Sequence, residues 1–117
     1  MTYDITGTNY MTLPGLLPGI RFYSFLSPDH IISIVTDFLE VNKDRLTLKT
    51  RRRTIVEARQ IAMYLIKKNS RLSLKHIGEL FGSRDHTTVL HSINTVKNLC
   101  FSDEQYKQRL LQIENLL

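Results

Sequence analysis

Gly82 stands between two segments of helical periodicity, and the residues around it constrain the architecture of this chain more than any other stretch. Before it, Leu74, Ile77, Leu80 and Phe81 recur at the spacing of one helix face, with Lys75, His76 and Glu79 opposite and Ser73 placed to cap. After it, a second helix starts near Ser83 or Asp85 and runs to about Leu99, with Val89, Leu90, Ile93 and Val96 as its apolar side and Cys100 at its end. Glycine gives the permissive backbone that a helix end requires, and the interval allows only a tight turn. Two short amphipathic helices joined in this way form a helix-turn-helix.

The second helix opens on Arg84, Asp85, His86, Thr87 and Thr88, small or ionisable residues that precede its apolar body. A helix entering the major groove tip-first needs such groups, because a bulky leading edge would hold its backbone too far from the bases. Asp85 has the chemistry to accept from a cytosine amino group, and the Thr87 methyl matches a thymine methyl. The competing structural roles are a cap at Asp85 and local backbone satisfaction by Thr88. Thr87, His91, Asn94 and Asn98 continue along one side of this helix as a neutral, hydrogen-bonding stripe, which suits base edges better than a generic charged surface.

The charge distribution agrees with a polyanionic partner. The whole chain carries a formal +5, but from Arg45 to Cys100 there are twelve Lys/Arg against three Asp/Glu, a local +9, while the segments before and after are −3 and −1. A basic region of this kind favours nucleic acid. Its densest part, Lys49-Thr50-Arg51-Arg52-Arg53, repels itself and is held best by phosphates, with one arginine free to enter a narrow minor groove.

Around these features the chain reads as an N-terminal arm followed by helices. Residues 1–26 hold Pro14, Pro18 and a run of apolar side chains from Tyr3 to Phe25. They form an extended or turn-rich arm that packs on the domain or meets a partner, and the rarity of large exposed apolar patches favours packing. Residues 27–117 are expected to form one domain. Ser27-Pro28-Asp29 starts a helix running to about Val41, with Leu26 and Ile31 spaced to staple its entry. Leu46 and Leu48 anchor the turn that follows. A central helix from Thr54 to about Lys68 buries Ile55, Ala58, Ile61, Ala62, Leu65 and Ile66, with Arg59, Lys67 and Lys68 on its margins within reach of a ligand. The last helix opens at Ser102-Asp103-Glu104-Gln105, with Phe101 and Tyr106 spaced as a staple and Tyr106, Leu110, Ile113 and Leu117 on one stripe.

Other function classes find little support. Cys100 is the single cysteine, so there is no intrachain disulfide and no cysteine metal cluster. His86 and His91 are five residues apart, roughly 140° around a helix, a poor arrangement for one metal ion. There is no glycine-rich phosphate loop and no nucleophile elbow. Neither a secretory signal nor a membrane-spanning stretch is evident. The expectation is a soluble, cytoplasmic, nucleoid-associated protein with no catalytic residues, metal or cofactor.

The run Arg52 to Leu65, then Leu72-Ser73-Leu74 with Ile77-Gly78, then Phe81-Gly82-Ser83-Arg84-Asp85-His86-Thr87-Thr88-Val89-Leu90-His91 closely resembles the C-terminal DNA-binding domain of the bacterial replication initiator DnaA, over roughly Ile31 to Asn98. The resemblance implies an all-α, compact helical domain of the TrpR/DnaA C-terminal type, with an extended helix-turn-helix that binds a short asymmetric DnaA-box-like site in double-stranded DNA. Carried over by position, Arg51 is similar to the family's minor-groove arginine, with Arg53 and Arg59 near the DNA backbone. Asp85, His86 and Thr87 resemble its major-groove base readers. Lys67, Ser73, Leu74, Arg84, Thr88 and His91 resemble its supporting and phosphate-facing contacts. Three departures stand out. Lys75 replaces a usual proline and adds a candidate phosphate contact. Asn94 and Thr95 replace residues that are commonly basic. The family's ATPase domain is absent from this sequence, so the chain is expected to bind, recruit or compete, in replication control or transcription regulation, and to act as a monomer. The rival reading is a protein-interaction module in which the arm and last helix bind a replication or regulatory partner and the DNA face is vestigial.

Overall fold

Each helix of the computed structural model begins or ends where local chemistry permits; residues 26–117 are described, and no strand occurs among them. The arm expected over residues 1–26 lies, apart from Leu26, outside the described residues. Helix α1 (Pro28–Leu39) starts as its sequence implies: the Ser27 hydroxyl accepts from the His30 amide at 3.1 Å, Pro28 occupies the first turn, and Asp29 faces the positive end of the dipole. It stops short of Val41 because Glu40 turns left-handed at φ 57°. Leu26 and Ile31 both join the core.

A short 3-10 helix, Lys43–Thr47, follows, with Asn42 capping through the Asp44 amide. Leu46 is buried as expected, but Leu48 is 53% exposed. The anchor at position 48 is the backbone carbonyl, which takes hydrogen bonds from both Arg59 and Arg84, and not the side chain.

Helix α2 (Arg53–Asn69) buries all six apolar residues of its expected stripe, together with Met63. It packs against α1, against the 3-10 helix, and against α3 (Leu74–Leu80) and α4 (His86–Ser102). Full burial of each large aliphatic side chain contributes about 1.5–3 kcal/mol, so this stripe holds the domain together. At its end, Asn69 and Ser70 donate to the carbonyls of Leu65 and Ile66 at 2.8 and 2.6 Å.

Helices α3 and α4 meet at the turn foreseen at Gly82. Ser73 caps α3 by accepting from the His76 amide at 3.2 Å, and Ile77 and Phe81 fill the core. Leu80, expected inward, is exposed on the rim of a shallow groove shared with Asp29, Lys43 and Asp44. Gly82 (φ 83°) and Ser83 (φ 59°) are both left-handed, so α4 cannot begin at Ser83, and Asp85 takes the cap position. Gly78, inside α3, matters as much as Gly82. The Arg84 amide donates to its carbonyl at 2.9 Å, and a Cβ at Gly78 would lie 2.1 Å from the Arg84 carbonyl oxygen.

Two further expectations on α4 need correction. Leu90 is exposed because it lies roughly a quarter turn off the buried line of Val89, Ile93 and Val96. Phe101 is 96% exposed and staples nothing. Asp103, and not Ser102, caps α5 (Glu104–Leu116) by accepting from the Tyr106 amide at 3.2 Å, which leaves Ser102 in α4, donating to Asn98. Phe101 thus continues the outward line of Thr87, His91, Asn94 and Asn98. Tyr106, Leu110 and Ile113 dock α5 on the core. Arg109–Glu57 and Lys68–Glu114, each at 2.6 Å, tie it to α2; Lys68 lies on the margin as expected, half exposed and paired with Glu114.

Gly78→Ala should cost about 3 kcal/mol in urea unfolding, at the upper end of overpacking losses, because the clash is with backbone. Phe101→Ala should change stability by less than about 0.5 kcal/mol. A neutral Gly78→Ala would contradict the close contact between α3 and the turn.

Candidate nucleic-acid interface

The start of α4 presents Asp85, His86, Thr87 and Thr88 as consecutive exposed residues, and His91 is exposed one turn further on. Asp85 holds the cap backbone conformation, φ −63° and ψ 148°, yet neither carboxylate oxygen accepts a capping bond. One oxygen instead accepts from the Thr87 hydroxyl at 2.7 Å, and the other lies 3.0 Å from His86 Nδ1. Three expected base readers therefore share one small polar cluster at the helix tip. The stripe behind them, Thr87, His91, Asn94 and Asn98, is exposed along its length.

A second group gathers where α2 passes to α3. Lys67 Nζ donates to the Leu72 carbonyl at 3.2 Å and stays exposed. The Ser73 hydroxyl is spent on the His76 amide and lies 2.8 Å from the His76 ring Nδ1. Leu74 packs on the core with part of its side chain, and Lys75 is exposed on the first turn. Of this group, Lys67 and Lys75 are the accessible cations, whereas Ser73 and Leu74 serve α3 itself.

The third element is the basic loop. Arg51 and Arg53 are exposed, and the Arg52 amide donates to the Thr50 hydroxyl at 3.2 Å. Arg52 takes the cap position of α2 without a side-chain capping bond, and no acid lies in the first turn. Arginines there oppose the helix dipole and leave the first amides unpartnered by any cap.

Arg59 departs from its expected place. It is only 7% exposed, so it does not ride on the margin of α2; its Nε donates to the Leu46 carbonyl and one terminal nitrogen to the Leu48 carbonyl, each at 2.9 Å. Burial first, and then the facing Arg84, pull its pKa below the ordinary arginine value; the guanidinium stays charged regardless. Arg84 donates a terminal nitrogen to the same Leu48 carbonyl at 2.9 Å, while its Nε is buried without a hydrogen-bond partner. Nothing in the periodicity announced this convergence. The only signal was an arginine inside an otherwise apolar helical line.

The helix-turn-helix geometry agrees with comparison to known proteins. The family described as bacterial DnaA protein helix-turn-helix matches residues 28–96. A chromosomal replication initiator protein DnaA from Flavobacterium psychrophilum is 43% identical over 83 residues, covering 71% of this chain and 17% of the relative. The protein of that name from Bacteroides fragilis is 40% identical over 89 residues, 76% of this chain and 19% of its own length. That from a Picosynechococcus strain is 39% identical over 108 residues, 90% and 24%. The chain thus spans about a fifth of the length of these relatives.

The Thr87 hydroxyl foremost holds the Asp85 carboxyl below the ordinary carboxylate range; desolvation opposes it, and the adjacent His86 and the amides of His86 and Thr87 add to the lowering. The amides act through proximity, since they make no capping bond. A depressed carboxyl favours the fold above its unfolded pKa and loses that contribution as pH falls through its folded value. A carboxyl carbon NMR titration should place Asp85 below a free aspartate, and Thr87→Val should move the midpoint up. An unmoved midpoint would contradict the Thr87–Asp85 bond.

Proposed function

The chain belongs to the bacterial DnaA helix-turn-helix family, and from that premise we propose that it binds double-stranded DNA sequence-specifically as a monomer, recognising a short asymmetric DnaA-box-like site in the control of replication or transcription. In this reading residues 27–117 are the binding unit. The tip of α4 enters the major groove, where Asp85, His86 and Thr87 read base edges, supported by Thr88 and His91. Arg51 enters the adjacent minor groove, and Arg53, Lys67, Lys75 and Arg84 neutralise phosphates.

The observation that carries this reading is that the same carbonyl, that of Leu48, joins the root of the basic loop to Arg84 at the root of α4. Two elements suited to adjacent grooves are thereby held in one frame. The uncapped, arginine-bearing start of α2 supports it, since an anion stabilises such a terminus and the first turn of α2 holds no acidic residue. So does the exposure of the polar stripe on α4 along its whole length.

Arg51→Ala and Asp85→Ala should each cost roughly 1–3 kcal/mol on a preferred duplex and relax specificity. Lys67→Ala should weaken all sequences alike. If about six phosphates are neutralised, log affinity should fall against log salt with a slope of about −5. Fluorescence anisotropy on preferred and random duplexes checks these values. Equal losses on both duplexes for Asp85→Ala would refute base reading by the helix tip.

A further inference from the structure

Three successive carbonyls at the end of the 3-10 helix abut the helix-turn-helix and α2. That of Leu46 accepts from Arg59 Nε, and that of Leu48 accepts from both Arg59 and Arg84, all at 2.9 Å. Between them, the Thr47 carbonyl oxygen would lie only 2.6 Å from a Cβ at Gly82, so this backbone runs directly against the turn. No acidic side chain among the described residues pairs with either arginine. Two guanidiniums brought together without a carboxylate repel each other, and burying Arg59 adds a desolvation cost. An arrangement of this kind persists only because the charged hydrogen bonds to fixed carbonyls offset it.

We propose that Arg59 and Arg84 form a clamp on the Leu46–Leu48 backbone that sets the position of the basic loop relative to α4, so that Arg59 is a positioning residue for Arg51 and makes no DNA contact of its own. This inference rests on the DNA-binding reading for its consequence, but the clamp itself is a property of the free protein. Arginine is required at position 59 by geometry. Its planar fork donates from two nitrogens to two carbonyls two residues apart, whereas a lysine ammonium is a single point. Arg84 closes the clamp from the other side while its own amide is bonded to Gly78. Lys49 to Arg52 extend beyond the clamp, where, among the described residues, the only side-chain bond to a loop amide is the local one from Thr50.

The test uses the full chain in two arms. In the free protein, 15N relaxation should show the backbone order parameters of residues 48–51 falling from the rigid value of about 0.85 to below about 0.6 in Arg59→Met and in Arg84→Met, with α2 and α4 unchanged. Two variants are used so that loss of folding in one leaves the other decisive. Unchanged loop order in a folded variant overturns the clamp. On a preferred duplex, Arg51→Ala should cost about tenfold in the wild-type background and less than about twofold in Arg59→Met, while Asp85→Ala costs the same in both. Arg59→Lys should behave as Arg59→Met, because it keeps the charge and loses the fork. Additive losses for Arg51 and Arg59, or wild-type behaviour of Arg59→Lys, overturn the positioning role. If Arg51→Ala costs nothing in the wild-type background, the minor-groove reading fails, and the relaxation arm still decides the clamp.

Discussion

The geometry of the domain depends on the close passage of the turn past α3 at Gly78. The Arg84 amide bonds to the Gly78 carbonyl, and the Arg84 carbonyl lies where any side chain at position 78 would stand. That contact brings α4 onto α3 at one angle and makes Arg84 the residue from which the rest is measured. Its backbone is held by α3, its guanidinium reaches the Leu48 carbonyl, and the next residues are the exposed tip of α4. Two consecutive left-handed residues, Gly82 and Ser83, are the conformational cost of turning so sharply. The burial of α2 against its neighbours supplies the cohesion that sustains it.

Cohesion and the proposed binding surface occupy different faces of the same helices. On α4, Val89, Ile93 and Val96 are buried, whereas Thr87, His91, Asn94 and Asn98 are exposed and polar. On α2, the apolar stripe is buried, and Arg53 and Lys67 remain accessible near its two ends. Arg59 is the exception, a charge inside the packed face whose hydrogen bonds tie the Leu46 and Leu48 carbonyls to α2. In the proposed reading, the net positive charge concentrated between Arg45 and Cys100 acts as a field that steers a polyanion toward these elements.

Much of this was legible in the amino-acid order. Helical periodicity located the five α-helices of the described residues, because burying one face of each contributes most of its stability and leaves a repeating pattern in the sequence. Caps at Ser27 and Ser73 were read from residue type alone, since their chemistry is local. The errors fell where a choice was tertiary. Leu48 and Phe101 are apolar residues at plausible anchor positions, but the backbone carbonyl did the anchoring at one, and the true cap at Asp103 turned the other outward. Leu80 and Leu90 lie at the edges of their stripes, where periodicity alone does not say how far a neighbour reaches. The convergence of Arg59 and Arg84 on one carbonyl spans long sequence separations, so no window of sequence contains it. Gly78 was visible as a residue but not as a contact.

Methylation interference on a selected duplex measures the central claim most directly, since dimethyl sulfate marks guanine N7 in the major groove and adenine N3 in the minor groove. Two reading elements held in one frame predict interference in one major groove and in the minor groove immediately beside it, with the minor-groove signal alone lost in Arg51→Ala. Interference confined to a single groove, or an Arg51→Ala pattern that is weakened uniformly, would contradict the account.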